Sequence, residues 1–278
     1  MIVSVSRRCD IPRFQFKWFM ERIEAGYAVA VNPYNANQQK RISLLPARAD
    51  MKPSDGVDLF VFWTRDPWDI LANADELTKR GFLFYVMVTV TGYPLELEPC
   101  MVRTSDALAA MKGLAQKIGQ DRVIWRYDPV ILTSITDEDF HRQNFNGIAQ
   151  ILAGSVRRVI VSMYSEYRSS KQRFDALEKS GILRMLSPEG GLAGLLGDFA
   201  KGAEAAGMEI QSCAQKEDYS SLGIKPGACI DPGLIGRLWG LDFKGKDKSQ
   251  RPDCLCCQSV DIGVYGTCAA RCVYCYAL

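Results

Sequence analysis

Asp58-Leu-Phe-Val-Phe-Trp63-Thr64-Arg65-Asp66-Pro67 is the stretch that decides the fold. Its first six residues form a short apolar run rich in aromatic and branched side chains, which is typical of a buried β-strand. Asp66-Pro67 then predicts the start of a helix, with a capping aspartate and a proline at the first helical position. This helix runs to Arg80 and ends at Gly81, and residues 82–90 form the next strand. A strand, a helix and a second strand in this order predict a parallel βαβ unit.

The same alternation of strands and helices continues along the chain. The other predicted strands cover residues 2–6, 27–31, 122–126, 158–163, 208–213 and 260–265. The other predicted helices cover residues 12–24, 105–118, 137–152, 170–179 and 190–206. Seven or eight such units predict one α/β domain over residues 1–278, a (β/α) barrel of the TIM type, complete or partial. A doubly wound open sheet is the alternative, although no Gly-x-Gly-x-x-Gly turn follows the first strand.

The composition is typical of a soluble globular protein. The chain has 278 residues, of which 47% are hydrophobic and 24% charged, and its formal net charge is +2. This charge gives no general attraction to nucleic acids or membranes, and the apolar run at residues 1–6 is too short for a signal peptide. No stretch approaches the roughly 20 apolar residues of a membrane span. We therefore expect a cytoplasmic protein without a membrane partner.

Three cysteines near the end of the chain follow a C-x-x-x-C-x-x-C pattern. Cys268, Cys272 and Cys275 form this terminal array, and Tyr274 directly precedes the last of them. Three thiolates on so short a loop can each bind one iron of a [4Fe–4S] cluster, which leaves the fourth iron open to a small molecule. A structural zinc site is the alternative, because Cys272-x-x-Cys275 is also half of a zinc knuckle, although Cys254-x-Cys256-Cys257 is a poor tetrahedral partner for it. The spacing therefore favours an iron–sulfur cluster.

The chain has ten cysteines and no secretion signal, which favours metal binding over disulfides. Cys213, Cys229, Cys254 and Cys256 can close a second site, either an auxiliary [4Fe–4S] cluster or a structural zinc, with Cys257 as a substitute ligand. Separate buried thiols are the alternative. Residues 213–278 are accordingly predicted to be a cysteine-rich part of the domain that closes the mouth of the barrel.

Parallel barrels carry their chemistry at the C-terminal ends of their strands. Polar and aromatic residues follow almost every predicted strand here, as a polar substrate and a charged cofactor require. Arg126, Asp128 and Tyr164 are the candidates for catalysis among them. For any one of these residues, a structural role in a turn or in the core is the alternative.

Three further residues are predicted to have no functional role. His141, the only histidine, lies at a polar helix start, where we expect an ordinary surface side chain. Because the chain has only this one histidine, the sequence also argues against a Ser-His-Asp hydrolase and against a histidine-rich zinc catalyst. Cys9 and Cys100 have no partners nearby in sequence and are interpreted as free thiols.

Six blocks carry a family resemblance that covers nearly the full length. They are residues 4–12 (Ser-Val-Ser-Arg-Arg-Cys-Asp-Ile-Pro), 32–33 (Asn-Pro), 61–64 (Val-Phe-Trp-Thr), 89–93 (Thr-Val-Thr-Gly-Tyr), 125–129 (Trp-Arg-Tyr-Asp-Pro) and 259–265 (Ser-Val-Asp-Ile-Gly-Val-Tyr). In these blocks the chain resembles a bacterial family of uncharacterised proteins assigned to the radical S-adenosylmethionine (radical SAM) class. It is also loosely similar to spore photoproduct lyase and related DNA repair photolyases.

The resemblance implies a [4Fe–4S] cluster on the terminal array, with SAM bound to its open iron. In this class one electron cleaves SAM to methionine and a 5′-deoxyadenosyl radical, which abstracts a hydrogen atom from the substrate. A reductant such as flavodoxin or ferredoxin is implied as a partner. The resemblance names no substrate.

The position of the array is unusual for this class, whose members carry it near the start of the barrel. If residues 260–265 form the strand before the array, closure of the barrel places that strand beside residues 2–6, and a circular permutation restores the usual order. The residues then expected near SAM are Ser6, Arg7, Arg8, Asp10, Asn32 and Tyr274. Arg126, Asp128 and Tyr164 would lie farther round, facing the substrate. Residues 276–278 should be packed, because a mobile terminus could not hold a cluster.

Three other functions stay open at this point. The first is a barrel enzyme of other chemistry whose cysteines hold structural zinc. The second is a non-catalytic iron–sulfur redox protein. The third is a nucleic-acid repair or modification enzyme of the photoproduct-lyase type, although the net charge does not indicate a nucleic-acid partner.

Overall fold

A parallel β-sheet is the centre of the fold in the computed structural model, which describes residues 1–32, 34–52, 55–100, 102–188 and 191–278. The strands in these ranges are β1 (Ile2–Val5), β2 (Tyr27–Asn32), β3 (Asn35–Ser43), β4 (Leu59–Thr64), β5 (Phe84–Thr89), β6 (Val123–Val130), β7 (Arg158–Met163), β8 (Glu209–Cys213), β9 (Lys225–Gly227) and β10 (Val260–Asp261). The main sheet has the order β10-β1-β4-β5-β6-β7-β8-β9, and its neighbouring strands are parallel. The helices are α1 (Ile11–Phe14), α2 (Phe16–Ala25), α3 (Trp68–Lys79), α4 (Thr104–Ile118), α5 (Glu138–Leu152), α6 (Arg168–Lys179), α7 (Ala193–Ala205) and α8 (Pro232–Trp239). The chain is therefore an α/β protein, as predicted.

Successive side chains along each strand point to opposite faces, which we call the outer and the inner face of the sheet. Phe60 and Phe62 of β4 point to the outer face, where Phe19 of α2 packs edge-on against both rings at centroid distances of 5.4 Å. Helices α3, α4, α5 and α7 pack on the same face. Val61 and Trp63 point to the inner face, which α8 covers. Because both faces are buried, the strands are continuous apolar runs, as is usual in parallel sheets.

Two of the helices begin at Asp-Pro pairs. The Asp66 carboxylate accepts a hydrogen bond from the backbone N–H of Trp68 at 3.2 Å. Helix α3 begins at Trp68, one residue later than predicted. Asp231 does the same for α8 by accepting from the backbone N–H of Gly233 at 2.8 Å. Helix α8 is absent from the predicted elements, although its Asp231-Pro232 start carries the signature that predicted α3.

The sheet is open. Its order ends at β10 on one side and at β9 on the other, and the described ranges contain no pairing between these two strands. A complete TIM-type barrel, one of the two predicted forms, is therefore not observed. The two end strands have only two and three residues, so each offers few backbone groups for closing the sheet.

The prediction that residues 27–31 form the second strand of the barrel is wrong. Strand β2 does not join the main sheet but pairs antiparallel with β3. Only residues 33 and 34 separate the two strands, and a connection this short brings the chain back antiparallel before any crossover to a parallel neighbour is possible. Asn32 ends β2 and therefore lies on this hairpin, and the Pro33 that follows it in the resemblance lies outside the described residues.

Other element boundaries differ by a few residues. The helix predicted at residues 12–24 is divided at Gln15 into α1 and α2, and Gly26 ends α2 in the left-handed conformation with φ of 74°. The helix predicted from Gly190 begins at Ala193, and Gly190 itself lies outside the described residues. The last predicted strand, residues 260–265, is reduced to Val260 and Asp261.

Candidate functional site

The strand before the terminal array lies directly beside the first strand of the chain. Val260 and Asp261 of β10 pair in parallel with Val3 and Ser4 of β1, as the sequence predicted. Because both strands run in the same direction, the loop that follows Asp261 and the loop that follows β1 leave the sheet at the same edge.

The Asp261 carboxylate ties these two loops together. It accepts hydrogen bonds from the hydroxyls of Ser4 at 2.8 Å and Ser6 at 2.6 Å. It also accepts from the backbone N–H groups of Arg7 at 2.8 Å and Gly263 at 2.9 Å. Four donors converge on one carboxylate, so the start of the chain and the loop leading to the array are held in a fixed relation.

Gly263 makes this close approach possible. A Cβ atom at this position would lie 2.0 Å from the Ser6 Oγ and 2.9 Å from the Cys9 Sγ. Both distances are shorter than any real contact, so a side chain here would push the two loops apart. Cys9 itself is a buried free thiol, in line with the prediction.

The terminal array is held by hydrogen bonds to its backbone. Arg173 of α6 donates from Nε to the Val273 carbonyl at 2.7 Å, and its Nη2 donates to the Cys275 carbonyl. The Val273 N–H donates to the Leu97 carbonyl at 2.9 Å. Arg271, inside the loop, has a left-handed φ of 54°. These contacts fix the loop against α6 and against the segment after β5.

The prediction that residues 276–278 are packed is confirmed for Ala277, whereas Tyr276 is exposed and Leu278 is partly buried. Ala277 is buried, its N–H donates to the Cys275 Sγ at 3.3 Å, and its carbonyl accepts from the Gly266 N–H at 2.8 Å. The Tyr276 side chain is half-exposed, but its hydroxyl donates to the Arg7 carbonyl at 2.9 Å. The end of the chain thus closes back on the β1–β10 junction.

The three thiols of the array provide a pure sulfur donor set. Cys272 is buried, and Cys268 and Cys275 are partly buried. Burial raises the pKa of the Cys272 thiol to about 11, against the opposite effect of the nearby Arg65 charge, and burial likewise raises the pKa of Cys275. Within the described ranges, no set of three or more His, Cys, Asp and Glu side chains is already arranged to hold a metal ion.

A buried polar network lies beside the array. Glu98 is 1% exposed, and its Oε1 pairs with the Arg65 Nη1 at 2.8 Å and accepts from the Thr91 hydroxyl at 2.6 Å. The Tyr274 hydroxyl also donates to the Glu98 Oε1 and accepts from the Arg65 Nη2. Tyr274, predicted to contact the cofactor, is buried with its hydroxyl engaged here, so in this structure it anchors the array loop.

Arg7 and Arg8, two residues predicted near SAM, lie at the β1–β10 junction. The Arg7 Nη2 donates to the Ser259 hydroxyl at 2.6 Å. The Arg8 Nη1 donates to the Val31 carbonyl at 2.7 Å, which ties the β2–β3 hairpin to this corner. Asn32, the next residue of that hairpin, bonds within the hairpin instead, donating to the Gln38 Oε1 at 2.7 Å.

Asp10 links the ends of β1 and β4. Its carboxylate accepts from the backbone N–H of Arg13 at 3.1 Å, as the cap of α1, and from that of Arg65 at 2.8 Å. Burial raises the pKa of Asp10 to about 6, although the two N–H donors act in the opposite direction. The residue predicted to contact SAM is therefore already committed to two backbone donors.

Two of the three candidate catalytic residues come together on the inner face. The Arg126 Nη2 pairs with the Asp128 Oδ2, and the Asp128 Oδ1 accepts from the Ser162 hydroxyl. The Arg126 guanidinium also lies over the Trp63 ring, 5.0 Å from its centroid. Tyr164 is not part of this group, since its hydroxyl bonds to the Ser170 hydroxyl at 2.7 Å.

Four of the cysteines predicted for a second site also come together. The Cys213 Sγ, at the end of β8, lies 3.4 Å from the Cys229 Sγ. Cys254 and Cys256 are buried in the same cluster as these two cysteines, and the neighbouring Cys229 and Cys254 thiols lower the pKa of Cys256. We call this series, Cys213–Cys229–Cys256–Cys254, the thiol chain. Cys257, the predicted substitute, is buried nearby but does not belong to it.

The prediction that His141 is a surface residue is wrong. His141 is fully buried on α5, with its Nε2 2.9 Å from the Ile131 carbonyl and its Nδ1 2.8 Å from the Tyr127 hydroxyl. A carbonyl can only accept, so Nε2 carries the proton and Nδ1 accepts from Tyr127. Burial lowers the pKa of His141 to about 4. The polar residues around His141 in sequence gave no indication that it is buried. Both of its ring nitrogens have a hydrogen-bond partner in the core.

The sequence pattern of one protein family, described as a domain of unknown function (DUF1848), matches residues 2–277. The chain belongs to this family. The match covers both the β1–β10 junction and the whole terminal array, so these features lie inside the DUF1848 domain. No protein of curated function matches the chain. None of the helices in the described ranges is long and apolar enough to cross a membrane.

Several residues that organise the DUF1848 site are missing from the predicted site residues. Asp261, Arg65, Glu98 and Arg173 each bind a loop that surrounds the array. Arg65 follows a predicted strand directly, so its position was a usable signal. Glu98 and Arg173 reach the array only through tertiary contacts, and the sequence around them carries no signal of this kind.

Proposed function

We propose that this protein is a radical SAM-type enzyme in which Cys268, Cys272 and Cys275 ligate a catalytic [4Fe–4S] cluster. The observation that supports this most is the parallel pairing of β10 with β1. It puts the terminal array at the carboxyl edge of the sheet, where parallel α/β enzymes carry their chemistry. The array is thus last in sequence but follows the first strand in the spatial order of the sheet.

The finer fold proposal is a circularly permuted partial (β/α) barrel. Reading the sheet from β10 across β1 and β4 to β8 gives a strand, the cysteine loop and then successive parallel strands. This order agrees with the class that the sequence resembles, whose members carry the array near the start of the barrel. The cysteine-rich segment 213–278 contributes both β10 at one edge and β9 at the other.

The residues present fit such a cluster by their donor chemistry. The array contains three thiols and no carboxylate or imidazole, and thiolates are the ligands that iron–sulfur clusters use. The Ala277 N–H already donates to the Cys275 sulfur, the kind of contact that tunes bound clusters. When bound there, the cluster would supply the single electron that cleaves SAM into methionine and a 5′-deoxyadenosyl radical.

The chain's own residues have distinct roles in this proposal. Ser6 holds the junction through Asp261, and Arg7 and Arg8 bring positive charge to the same corner, where a SAM carboxylate can be paired. Asp10 and Tyr274 position the loops, since their polar groups are engaged with other residues.

Arg126 and Asp128 face the inner side of the sheet beside Trp63, and we assign them to the substrate. The proposal leaves the substrate open. It implies a flavodoxin- or ferredoxin-type reductant and a reducing compartment such as the cytoplasm. Tyr164 is the weakest of the three catalytic assignments, because its hydroxyl already bonds to Ser170.

The test is anaerobic reconstitution with iron and sulfide, followed by SAM and dithionite. We expect 5′-deoxyadenosine from the wild-type protein and none from Cys272→Ala, with Cys100→Ser as the matched control because Cys100 is exposed and outside the array. A reconstituted cluster that is reduced but yields no 5′-deoxyadenosine would overturn the proposal in favour of a redox protein. Stoichiometric zinc on the array in protein purified without oxygen would overturn it in favour of a zinc-bearing enzyme.

A further inference from the structure

The thiol chain brings together four cysteines from separate parts of the sequence. Cys213 ends β8, Cys229 lies between β9 and α8, and Cys254 and Cys256 lie in the long segment before β10. All four are buried, with 8%, 2%, 6% and 3% of their surfaces exposed. Such a concentration of buried thiols from three segments is not a product of local sequence, since only Cys254 and Cys256 are near neighbours along the chain.

The backbone around these thiols is fixed by hydrogen bonds. The Ile230 N–H donates to the Cys256 Sγ at 3.3 Å, while the Ile230 carbonyl accepts from the Cys257 N–H at 3.1 Å. The Tyr85 hydroxyl donates to the Cys229 carbonyl at 2.6 Å. A backbone N–H that donates to a cysteine sulfur is a common feature of thiolate metal sites. These contacts fix the backbone around Cys229 and Cys256.

Two partly buried guanidinium groups share the ring of Trp63, which belongs to the same buried cluster as the four thiols. The centroid of that ring is 5.6 Å from the Arg7 guanidinium carbon and 5.0 Å from that of Arg126. Each arginine has a carboxylate on its Nη side, Asp247 for Arg7 at 3.8 Å and Asp128 for Arg126.

Three buried donors in this group have no acceptor. The Arg7 Nε, the Arg126 Nε and the Trp63 Nε1 are shielded from solvent and bond to no protein atom in the described residues. A buried N–H without an acceptor costs on the order of 1–3 kcal/mol, so three of them around one ring indicate an acceptor that binds there. Metal-bound thiolates and sulfides are acceptors of this kind.

We propose that Cys213, Cys229, Cys254 and Cys256 bind a second metal centre, a four-thiolate zinc ion or iron–sulfur cluster, beside Arg7 and Arg126. Both forms share one chemistry. Each thiol gives up its proton to solvent when its sulfur binds the metal, and the resulting centre carries a net charge of about −2. The two guanidinium groups offset this charge, and their free Nε–H groups donate to its sulfurs.

The four sulfurs form a chain and do not yet surround one point, in keeping with the absence of a preformed ion site among the described residues. Metal binding would close the chain by bringing the Cys213 and Cys254 sulfurs toward each other. The segment that carries Cys254 is free of helix and strand, so it can make this adjustment. A disulfide between Cys213 and Cys229 would use only two of the four thiols and would leave the arginine donors unpaired.

The proposal does not depend on the terminal array, and its test removes the array. We would purify the triple variant Cys268→Ala/Cys272→Ala/Cys275→Ala without oxygen and measure metal and acid-labile sulfide. About one zinc per chain without sulfide identifies the zinc form, and about two to four irons with equal sulfide identify the cluster form. Adding Cys229→Ser and Cys256→Ser should remove this metal, whereas adding Cys257→Ser should retain it.

Less than about a tenth of one metal per chain in the triple variant, both as purified and after reconstitution with zinc or with iron and sulfide, would overturn the proposal. Peptide mapping that finds Cys213 disulfide-bonded to Cys229 in the anaerobic wild-type protein would also overturn it. If the triple variant fails to fold, X-ray absorption of the wild-type chain gives the answer. The proposal then requires more metal per chain than one cluster on the terminal array accounts for, and this additional metal must be bound by sulfur alone. If the wild-type protein fails to cleave SAM, that result would contradict only the function proposed for the terminal array, and the second metal centre would still stand.

Discussion

The hydroxyl of Ser6 donates a hydrogen bond of 2.6 Å to the carboxylate of Asp261, 255 residues farther along the chain. This contact joins the loop after the first strand to the loop that leads into the terminal array. The two ends of the chain are thereby built into one corner of the sheet, next to the cysteines.

Asp261→Ala is expected to loosen this corner. It leaves two serine hydroxyls and two backbone N–H groups without their acceptor, which should lower the free energy of unfolding by about 2–4 kcal/mol in urea titrations. Asp242→Ala is the matched control, because Asp242 is exposed and pairs with the exposed Lys244 at the surface. That variant should change stability by less than about 0.5 kcal/mol. Equal unfolding midpoints for both variants would contradict the role given to Asp261.

Gly263→Ala tests the close approach of the two loops. The added methyl group overlaps the Ser6 Oγ, so we expect a loss of about 1–3 kcal/mol in stability and less iron retained on the array after reconstitution. Gly147→Ala is the control, since no described atom beyond its chain neighbours and the backbone of its own helix lies within 4 Å of a Cβ at that position. It should be neutral or stabilising by up to about 1 kcal/mol. An unchanged iron content in Gly263→Ala would show that the loops do not need this contact.

Glu98→Gln tests the network beside the array. The substitution keeps the shape but leaves the buried Arg65 charge without its counter-charge, which should cost about 3 kcal/mol in urea unfolding. We also expect weaker iron retention, because Tyr274 loses its charged acceptor. Glu96→Gln, on the exposed side of the same segment, should leave both measurements unchanged. Wild-type stability in Glu98→Gln would mean that the network does not anchor the array.

Asp10 is expected to make stability fall as pH rises from 4 to 7. Its pKa is raised to about 6 by burial, so the folded state binds more protons than the unfolded state between pH 4 and 6. The stability of wild type minus that of Asp10→Asn should therefore be higher at pH 4.5 than at pH 7, by about 2 kcal/mol in urea titrations. A difference that is flat or rises with pH would contradict the raised pKa of Asp10.

His141 is expected to make the stability of the protein rise with pH over the same range. Its pKa is lowered to about 4, so the unfolded state binds more protons between pH 4 and 6.5, and stability is lost as pH falls. The stability of wild type minus that of His141→Gln should thus be lower at pH 4.5 than at pH 7, by about 2 kcal/mol. The two stability differences, plotted against pH, should have slopes of opposite sign. A stability difference for His141 that does not change with pH would contradict its buried neutral state.

The local sequence predicted most of the regular structure. Buried strands such as β4 and β7 were recognisable as short apolar runs, and the capped helices α3 and α5 as periodic segments with polar starts. These predictions succeeded because strand and helix preferences act over a few residues. The hairpin β2–β3 was missed because apolar β2 resembles a strand of the main sheet, and only its pairing partner shows otherwise.

The sequence by itself determined the α/β class, the parallel character of the strands and the spacing of the array at Cys268, Cys272 and Cys275. Only the tertiary structure decided that Asp261 joins the loops after β1 and β10, that Glu98 and Arg65 support the array, and that the sulfurs of Cys213 and Cys229 lie 3.4 Å apart. The physical reason is sequence distance. Cysteine spacing on one loop is a local constraint, whereas contacts between residues far apart in sequence depend on how the whole sheet is ordered and packed.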